Sequence, residues 1–261
     1  MSDLASRRPS TGARMTRPAV LVLAGLDPSG GAGLLADAEA IRSCGARPFC
    51  LATALTVQTT SRAFRFESIR AALVADQAQA LLGEEPASAL KIGMLGNLEM
   101  LRAAAAIAAQ AEVPFVVDPV LFASSGAPLF DGDPAAYREL FAQGALVTPN
   151  LAECRLLLSL DADPATADEM LSAGRKLLAL GAHAVLVKGG HLHGPDALDL
   201  LVTDSGGVHE LHGPRIAASK RGTGCRLSSA LAAYLASGQA LLGAAHLAKA
   251  HVAAYLRAPV G

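Results

Sequence analysis

From residue 18 onward, short apolar runs of β type alternate with stretches of helical periodicity. Val20 to Gly25 reads as a strand, and Ala32 to Cys44 follows as a helix with Leu34, Ala38 and Ile41 on one face. The alternation continues through a strand at Pro48 to Leu55, a helix at Ile69 to Leu82, a strand at Leu90 to Ile92, a helix at Leu98 to Ala109 and a strand at Pro114 to Val117. Next come a strand at Ala145 to Thr148, helices at Leu151 to Leu160 and Ala165 to Leu180, and a strand at Ala184 to Val187. Ala197 to Thr203 and Val208 to Leu211 flank the turn residues Asp204-Ser205-Gly206-Gly207, which predicts an antiparallel hairpin at a sheet edge. Gly222 to Ala236 and Leu241 to Arg257 read as two amphipathic helices. This pattern predicts an α/β fold of three layers, a mostly parallel central sheet with helices on both faces. No long linker or internal repeat interrupts it, so residues 18–261 are expected to form one domain.

Residues 1 to 17 carry Arg7, Arg8, Arg14 and Arg17 among Ser, Thr, Gly and Pro. They are expected to be a disordered tail rather than a transit peptide, with Met15 as an alternative start.

The chain has 261 residues, of which 52% are hydrophobic, 17% charged and 4% aromatic. A chain of this size hides roughly three quarters of the surface its unfolded form exposes. Disordered, collagen-like and disulfide-scaffold classes are thereby excluded. Lys and Arg number 22 against 23 Asp and Glu, a net of −1, so no global field draws in a nucleic acid. A phosphorylated small molecule needs only local positive charge. Cys44, Cys50, Cys154 and Cys225 form no C-x-x-C pair, and His191 and His193 stand apart from them, which argues against zinc and for reduced thiols in the cytoplasm. No apolar run reaches the roughly 18 residues of a membrane span. Ala19 to Leu26 ends in Asp27-Pro28 without a cleavage site, so it reads as a buried strand and not a signal peptide.

In open parallel sheets ligands bind beyond the carboxyl ends of the strands, and the chemistry-bearing residues fall there. The first strand leads into Gly25-Leu26-Asp27-Pro28-Ser29-Gly30-Gly31-Ala32-Gly33. Gly31, Gly33 and Ala36 formally match G-x-G-x-x-A. The acidic residue that a dinucleotide site needs about 20 residues on is missing, because Leu55-Thr56-Val57-Gln58-Thr59-Thr60 stands there. Chain turning explains one or two of the glycines; the rest suggest backbone brought close to a ligand.

Asp118 follows an apolar strand directly and either points a carboxylate into the crevice or caps a turn. In Thr148-Pro149-Asn150-Leu151-Ala152-Glu153, Asn150 and Glu153 fit a capping box, and a polar pair in that place also offers oxygen ligands to Mg²⁺. Lys188 follows Ala184-Val185-Leu186-Val187, so it must emerge at the crevice rim or pair with an anion. Lys220-Arg221-Gly222-Thr223-Gly224-Cys225-Arg226 is the most informative segment. Its glycines precede an amphipathic helix, so backbone N–H groups and the positive end of the helix dipole converge into an anion site. Cys225 lies within the first turn, where the dipole is expected to lower its thiol pKa. No G-x-x-x-x-G-K-[ST] occurs, so this is not a P-loop.

With these residues in view, the chain from about residue 18 to residue 257 resembles the hydroxymethylpyrimidine and phosphomethylpyrimidine kinases of thiamine biosynthesis, within the ribokinase superfamily. The resemblance rests on Ala24 to Gly33, Gln58-Thr59-Thr60, Lys91-Ile92-Gly93-Met94-Leu95, Thr148 to Glu153, Lys188-Gly189-Gly190-His191 and Gly222-Thr223-Gly224-Cys225 in that order. It implies a ribokinase-like fold, ATP and Mg²⁺, a small pyrimidine substrate and a homodimer, with no nucleic-acid or membrane partner. It implies that Gly25, Asp37, Gln58, Met94 and Val120 line the pyrimidine pocket. Asp118 and Glu153 are implied for the metal, and Asn150, Lys188, Gly222, Thr223 and Gly224 for the nucleotide phosphates. Lys188 and Cys225 are implied for catalysis. Cys225 stands where sugar kinases of the superfamily carry an aspartate base, which favours a phosphate monoester, already anionic near neutral pH, over an alcohol as nucleophile. Ser124-Ser125, Arg221, Arg226 and the sequence after Arg257 depart from the family pattern. A vitamin B6 kinase and a pyrimidine-binding homologue of weakened activity are the alternatives.

Overall fold

The computed structural model describes residues 17–190, 192, 194, 196–217 and 220–259. Of the expected N-terminal tail, residues 1–16 lie outside the described residues, as do His191 and His193.

The first half of the chain forms β1 (Ala19–Leu26), α1 (Gly33–Ser43), β2 (Arg47–Gln58), β3 (Ala63–Ser68), α2 (Ala71–Glu84), β4 (Ala89–Ile92), β5 (Gly96–Asn97), α3 (Leu98–Ala111), β6 (Phe115–Val117) and β7 (Phe130–Asp131). A 3₁₀ turn at Pro134–Tyr137 runs into α4 (Arg138–Phe141). The second half adds β8 (Leu146–Val147), α5 (Leu151–Leu158), α6 (Ala167–Ala179), β9 (Ala184–Gly189), β10 (Asp196–Thr203), β11 (Val208–Pro214), α7 (Thr223–Ala236) and α8 (Leu241–Arg257).

Nine strands make one sheet in the order β11-β10-β9-β8-β6-β4-β1-β2-β3. The run from β9 through β8, β6, β4 and β1 to β2 is parallel. The expected β10–β11 hairpin forms one antiparallel edge, and β3 forms the other. β5 and β7 pair separately. The sheet is thus mostly parallel, as the alternating pattern predicts.

Alternation along β1 builds both cores. Leu21 and Leu23 face one side, with α2, α3, α5 and α6, while Val20, Val22 and Ala24 face the other, with α1, α7 and α8. Every one of these five side chains is buried, so β1 is apolar on both faces, as a strand covered on both sides must be. Each buried Val or Leu side chain among them contributes about 1.5–3 kcal/mol relative to exposure.

The elements differ from expectation mainly at the ligand end of the sheet. β2 runs three residues beyond Leu55 to Gln58, because β3 pairs with it there. β3, β5, β7 and α4 are additional to the expected elements. Lys188 lies inside β9, which extends to Gly189 through pairing with β10.

Candidate active site

A cavity of about 710 Å³ lies along the carboxyl ends of the strands. Its wall runs from Gly25, Gln58, Met94 and Val120 through Asp118, Asn150, Glu153 and Lys188 to Asp199, Pro214 and Val252. Gly222, Thr223, Gly224 and Cys225 line it too. A Cβ at Gly25 would sit 2.5 Å from Met94 Sδ, so the glycine leaves room for the methionine in the pocket wall.

The centre of the site is a charge cluster made by three strand ends. Lys188 Nζ donates to Asp118 Oδ1 at 2.7 Å and lies 3.8 Å from Glu153 Oε2. The Asn150↔Lys188 bridge continues the β8–β9 pairing and brings the start of α5 beside β9. There Asn150 and Glu153 form a complete capping box: Glu153 N–H donates to Asn150 Oδ1 at 2.8 Å, and Asn150 N–H donates to Glu153 Oε2 at 2.7 Å. The box is therefore real and serves the site as well, since it aims Glu153 at Lys188.

Burial opposes ionisation of Asp118, yet Lys188 and Lys91 nearby hold its carboxyl below the usual range. Burial alone would lower Lys188, but Asp118 and Glu153 push it above its ordinary value. Glu153 is pushed up to about 7 by burial, because Lys188 at its longer distance compensates only in part. Glu153 is thus a carboxylate short of positive charge.

α7 begins without a side-chain cap. Its first N–H groups are left for a ligand or water. Gly222 has φ +71°, and a Cβ there would collide with the Gly31 carbonyl oxygen. A Cβ at Gly224 would stand 3.1 Å from Lys188 Nζ, so the backbone of the amide nest passes directly against the charge cluster.

Two expectations need correction. Asp37 does not line the pocket: it is fully buried in α1, where its carboxylate accepts Lys91 Nζ at 2.9 Å and Ser229 Oγ at 2.8 Å. The wholly buried lysine of β4 takes this carboxylate as its counter-charge, and the wall position goes to Lys91. The Cys225 thiol is not lowered either. Burial pushes it up to about 11, a larger effect than the attraction of Lys91. It is protonated at neutral pH.

Sequence reasoning gave no role to Lys91, nor to Thr148 and Ser228, whose hydroxyls donate to the Asp118 carboxylate at 3.3 and 3.4 Å. Lysine between Leu90 and Ile92 in an apolar strand was the available signal for a buried pair. Among the described residues no group of three or more His, Cys, Asp or Glu is placed to hold a metal ion. No described helix is long and apolar enough to cross a membrane.

Residues 27–261 match the family model for phosphomethylpyrimidine kinase. The chain belongs to the phosphomethylpyrimidine kinase family. It is 39% identical over 245 residues to a thiamine biosynthesis bifunctional protein of Geobacter sulfurreducens, covering 92% of this chain and 49% of that relative. The chain therefore spans about half the length of that relative. Against the hydroxymethylpyrimidine/phosphomethylpyrimidine kinase of Rhizobium meliloti the identity is 38%, covering 91% of this chain and 90% of the other. Among solved structures, the pyridoxal kinase of Staphylococcus aureus in complex with ADP superposes with a TM-score of 0.84 at 28% identity, over 93% of this chain and 89% of that one. Family membership accords with the expected ribokinase-like fold.

Proposed function

We propose that residues 18–261 form one kinase domain that uses ATP to phosphorylate 4-amino-5-hydroxymethyl-2-methylpyrimidine and its monophosphate, giving the diphosphate for thiamine biosynthesis. The observation that carries this reading is the Lys188–Asp118–Glu153 cluster set against the Gly222–Gly224 amide nest in one cavity. Phosphoryl transfer asks a protein mainly for positioning and charge neutralisation, which a lysine and oriented N–H groups supply.

Gly25, Gln58, Met94 and Val120 hold the pyrimidine ring in this reading, and Asn150, Lys188, Gly222, Thr223 and Gly224 hold the phosphates. The substrate oxygen attacks the γ-phosphorus, and the bond from that phosphorus to the bridging oxygen of ADP breaks; an alcohol substrate gives up its proton to water, while a phosphate monoester attacks through an oxygen that is already anionic. Lys188 keeps its proton throughout and follows the charge of the migrating group. Mg²⁺ suits the donor set: Asp118 and Glu153 are hard oxygen ligands, and Glu153 lacks full compensation. One or two carboxylates plus substrate phosphates are the usual holding for this ion, which neutralises phosphate charge when bound. We place the enzyme in the cytoplasm as a homodimer; its four free cysteines suit that compartment.

A coupled ADP-release assay with the hydroxymethylpyrimidine, its monophosphate and pyridoxal tests the reading. Turnover of either pyrimidine well above pyridoxal is expected. ADP formation with pyridoxal alone, or pyrimidine binding without ADP, would reject it.

A further inference from the structure

The phosphate-binding and metal-binding roles leave Arg221, a cation of the cavity wall, without a task. Arg221 directly precedes the amide nest, and its guanidinium reaches two other segments. Nη1 donates to Ser29 Oγ at 3.1 Å and to the Thr59 carbonyl at 2.9 Å. Nη2 lies 3.2 Å from Asp27 Oδ2 and donates to Gln58 Oε1 at 3.2 Å. Both ends of the contact are fastened. The Asp27 carboxylate accepts the N–H groups of Ser29 and Ala32, and the Tyr255 hydroxyl donates to the Arg221 carbonyl at 3.1 Å.

A guanidinium carries donors and no acceptor. Of the two ends of the Gln58 carboxamide, only the oxygen can face it, so this contact decides which way the amide is turned. Nε2, a pure donor, is then the end left for a ligand in the cavity that Gln58 lines. Asp37, which was expected to line the pyrimidine pocket, is sealed behind Lys91. Ring-edge discrimination on this side of the pocket falls to Gln58.

We infer that Arg221 is a specificity-positioning residue: by holding Gln58 Oε1 it commits the pocket to a substrate edge bearing a lone pair, a ring nitrogen, and against one bearing N–H. This deepens the pyrimidine-kinase reading and rests on it. Without the guanidinium the two orientations of the amide differ little in energy, and the pocket accepts either edge.

The test compares kcat and KM for the parent hydroxymethylpyrimidine and its two monodeaza analogues, in which one ring nitrogen is replaced by C–H. The native enzyme is expected to lose about tenfold in kcat/KM on one analogue, the scale of one hydrogen bond in a desolvated pocket. Arg221→Met should shrink that ratio below about threefold, while Arg221→Lys, still a pure donor, preserves it. Gln58→Glu supplies a second line should Arg221→Met fold poorly: it keeps the pairing with Arg221, has no N–H to offer, and should lose the ratio too. A native enzyme indifferent to both ring nitrogens, or an unchanged ratio in Arg221→Met or Gln58→Glu, overturns the inference alone. So does a ratio lost equally in Arg221→Lys and Arg221→Met, which would mark a general disturbance of the wall. No turnover of the parent ring by the native enzyme removes the functional reading and this inference with it.

Discussion

Lys188 in β9 reaches past the end of β8 and sets its ammonium 2.7 Å from Asp118 at the end of β6. The pair joins strands that do not touch, and Asp118 is 1% exposed. Removing Lys188 leaves a buried carboxylate with only Lys91 to compensate it. Lys188→Met is expected to cost about 3 kcal/mol of stability and to lower kcat by about 10²–10³. Asp118→Asn in the same chain should restore most of the stability and none of the activity. Thermal denaturation and ADP release on the single and double variants read the two effects separately.

Gly222 and Gly224 should fail in different ways when made alanine. Gly222 is left-handed and faces the Gly31 carbonyl, so Gly222→Ala strains the loop and costs about 1–3 kcal/mol of stability as well as activity. Gly224 has room for a methyl group only against Lys188 and Asp118, with 3.1 Å to Nζ and 3.7 Å to Oδ2. Gly224→Ala is expected to keep the melting temperature within a few degrees and to lose most of the kcat. Equal loss of stability in both variants would contradict this account of the nest.

How far these residues could be read in advance depended on whether their partners are local. β1 and β9 announce themselves because a strand buried on both faces is a nearly unbroken apolar run. β3 does not: Phe64, Arg65, Phe66 and Glu67 mix aromatic with charged residues on an edge, where Phe64 is 56% exposed. Asn150, Glu153, Lys188 and the glycines at the start of α7 were legible because each stands at the end of a strand or in the first turn of a helix. The place of Asp37 was not, since it is fixed by Lys91, 54 residues away. Cys225 failed for a related reason. Its position at a helix start argues for a low thiol pKa, while the burial that raises it comes from distant chain.

A protonated thiol bears on the choice of nucleophile. At about 11, Cys225 takes no proton from an alcohol at neutral pH. A phosphate monoester, whose second pKa is about 6, needs no base at all. Cys225→Ala is therefore expected to lower kcat/KM by less than about threefold on the hydroxymethyl substrate and on the monophosphate alike. A loss of about tenfold or more confined to the hydroxymethyl substrate in steady-state assays would show that the thiol does serve as its base.

The β2–β3 edge offers the surface a second copy would cover. Leu55, Val57 and Leu73 line a shallow groove there and are 46%, 45% and 41% exposed, with Phe64 on the adjoining strand. Large apolar side chains gathered at one edge mark an association surface. Light scattering is expected to report a dimer for the native chain and a monomer for Val57→Lys. A native monomer at micromolar concentration would show that the proposed homodimer is wrong.

Glu153 gives the metal-free protein a pH dependence of definite sign. Its folded pKa of about 7 lies above the ordinary 4.5, because burial penalises the charged form. The native state therefore binds this proton more tightly than the unfolded chain. The contribution is fully present below 4.5 and is lost as the pH rises through about 7. Glu153→Gln keeps an oxygen to accept the Asn150 N–H and carries no charge to desolvate. In buffer with chelator and no nucleotide, the variant is expected to gain on the order of 1–3 kcal/mol over the native protein at pH 8, and to lose that advantage at pH 4.5. Urea denaturation of both proteins at the two pH values measures it. A constant difference would mean that Glu153 does not change its protonation on folding, and that Lys188 at 3.8 Å compensates it fully.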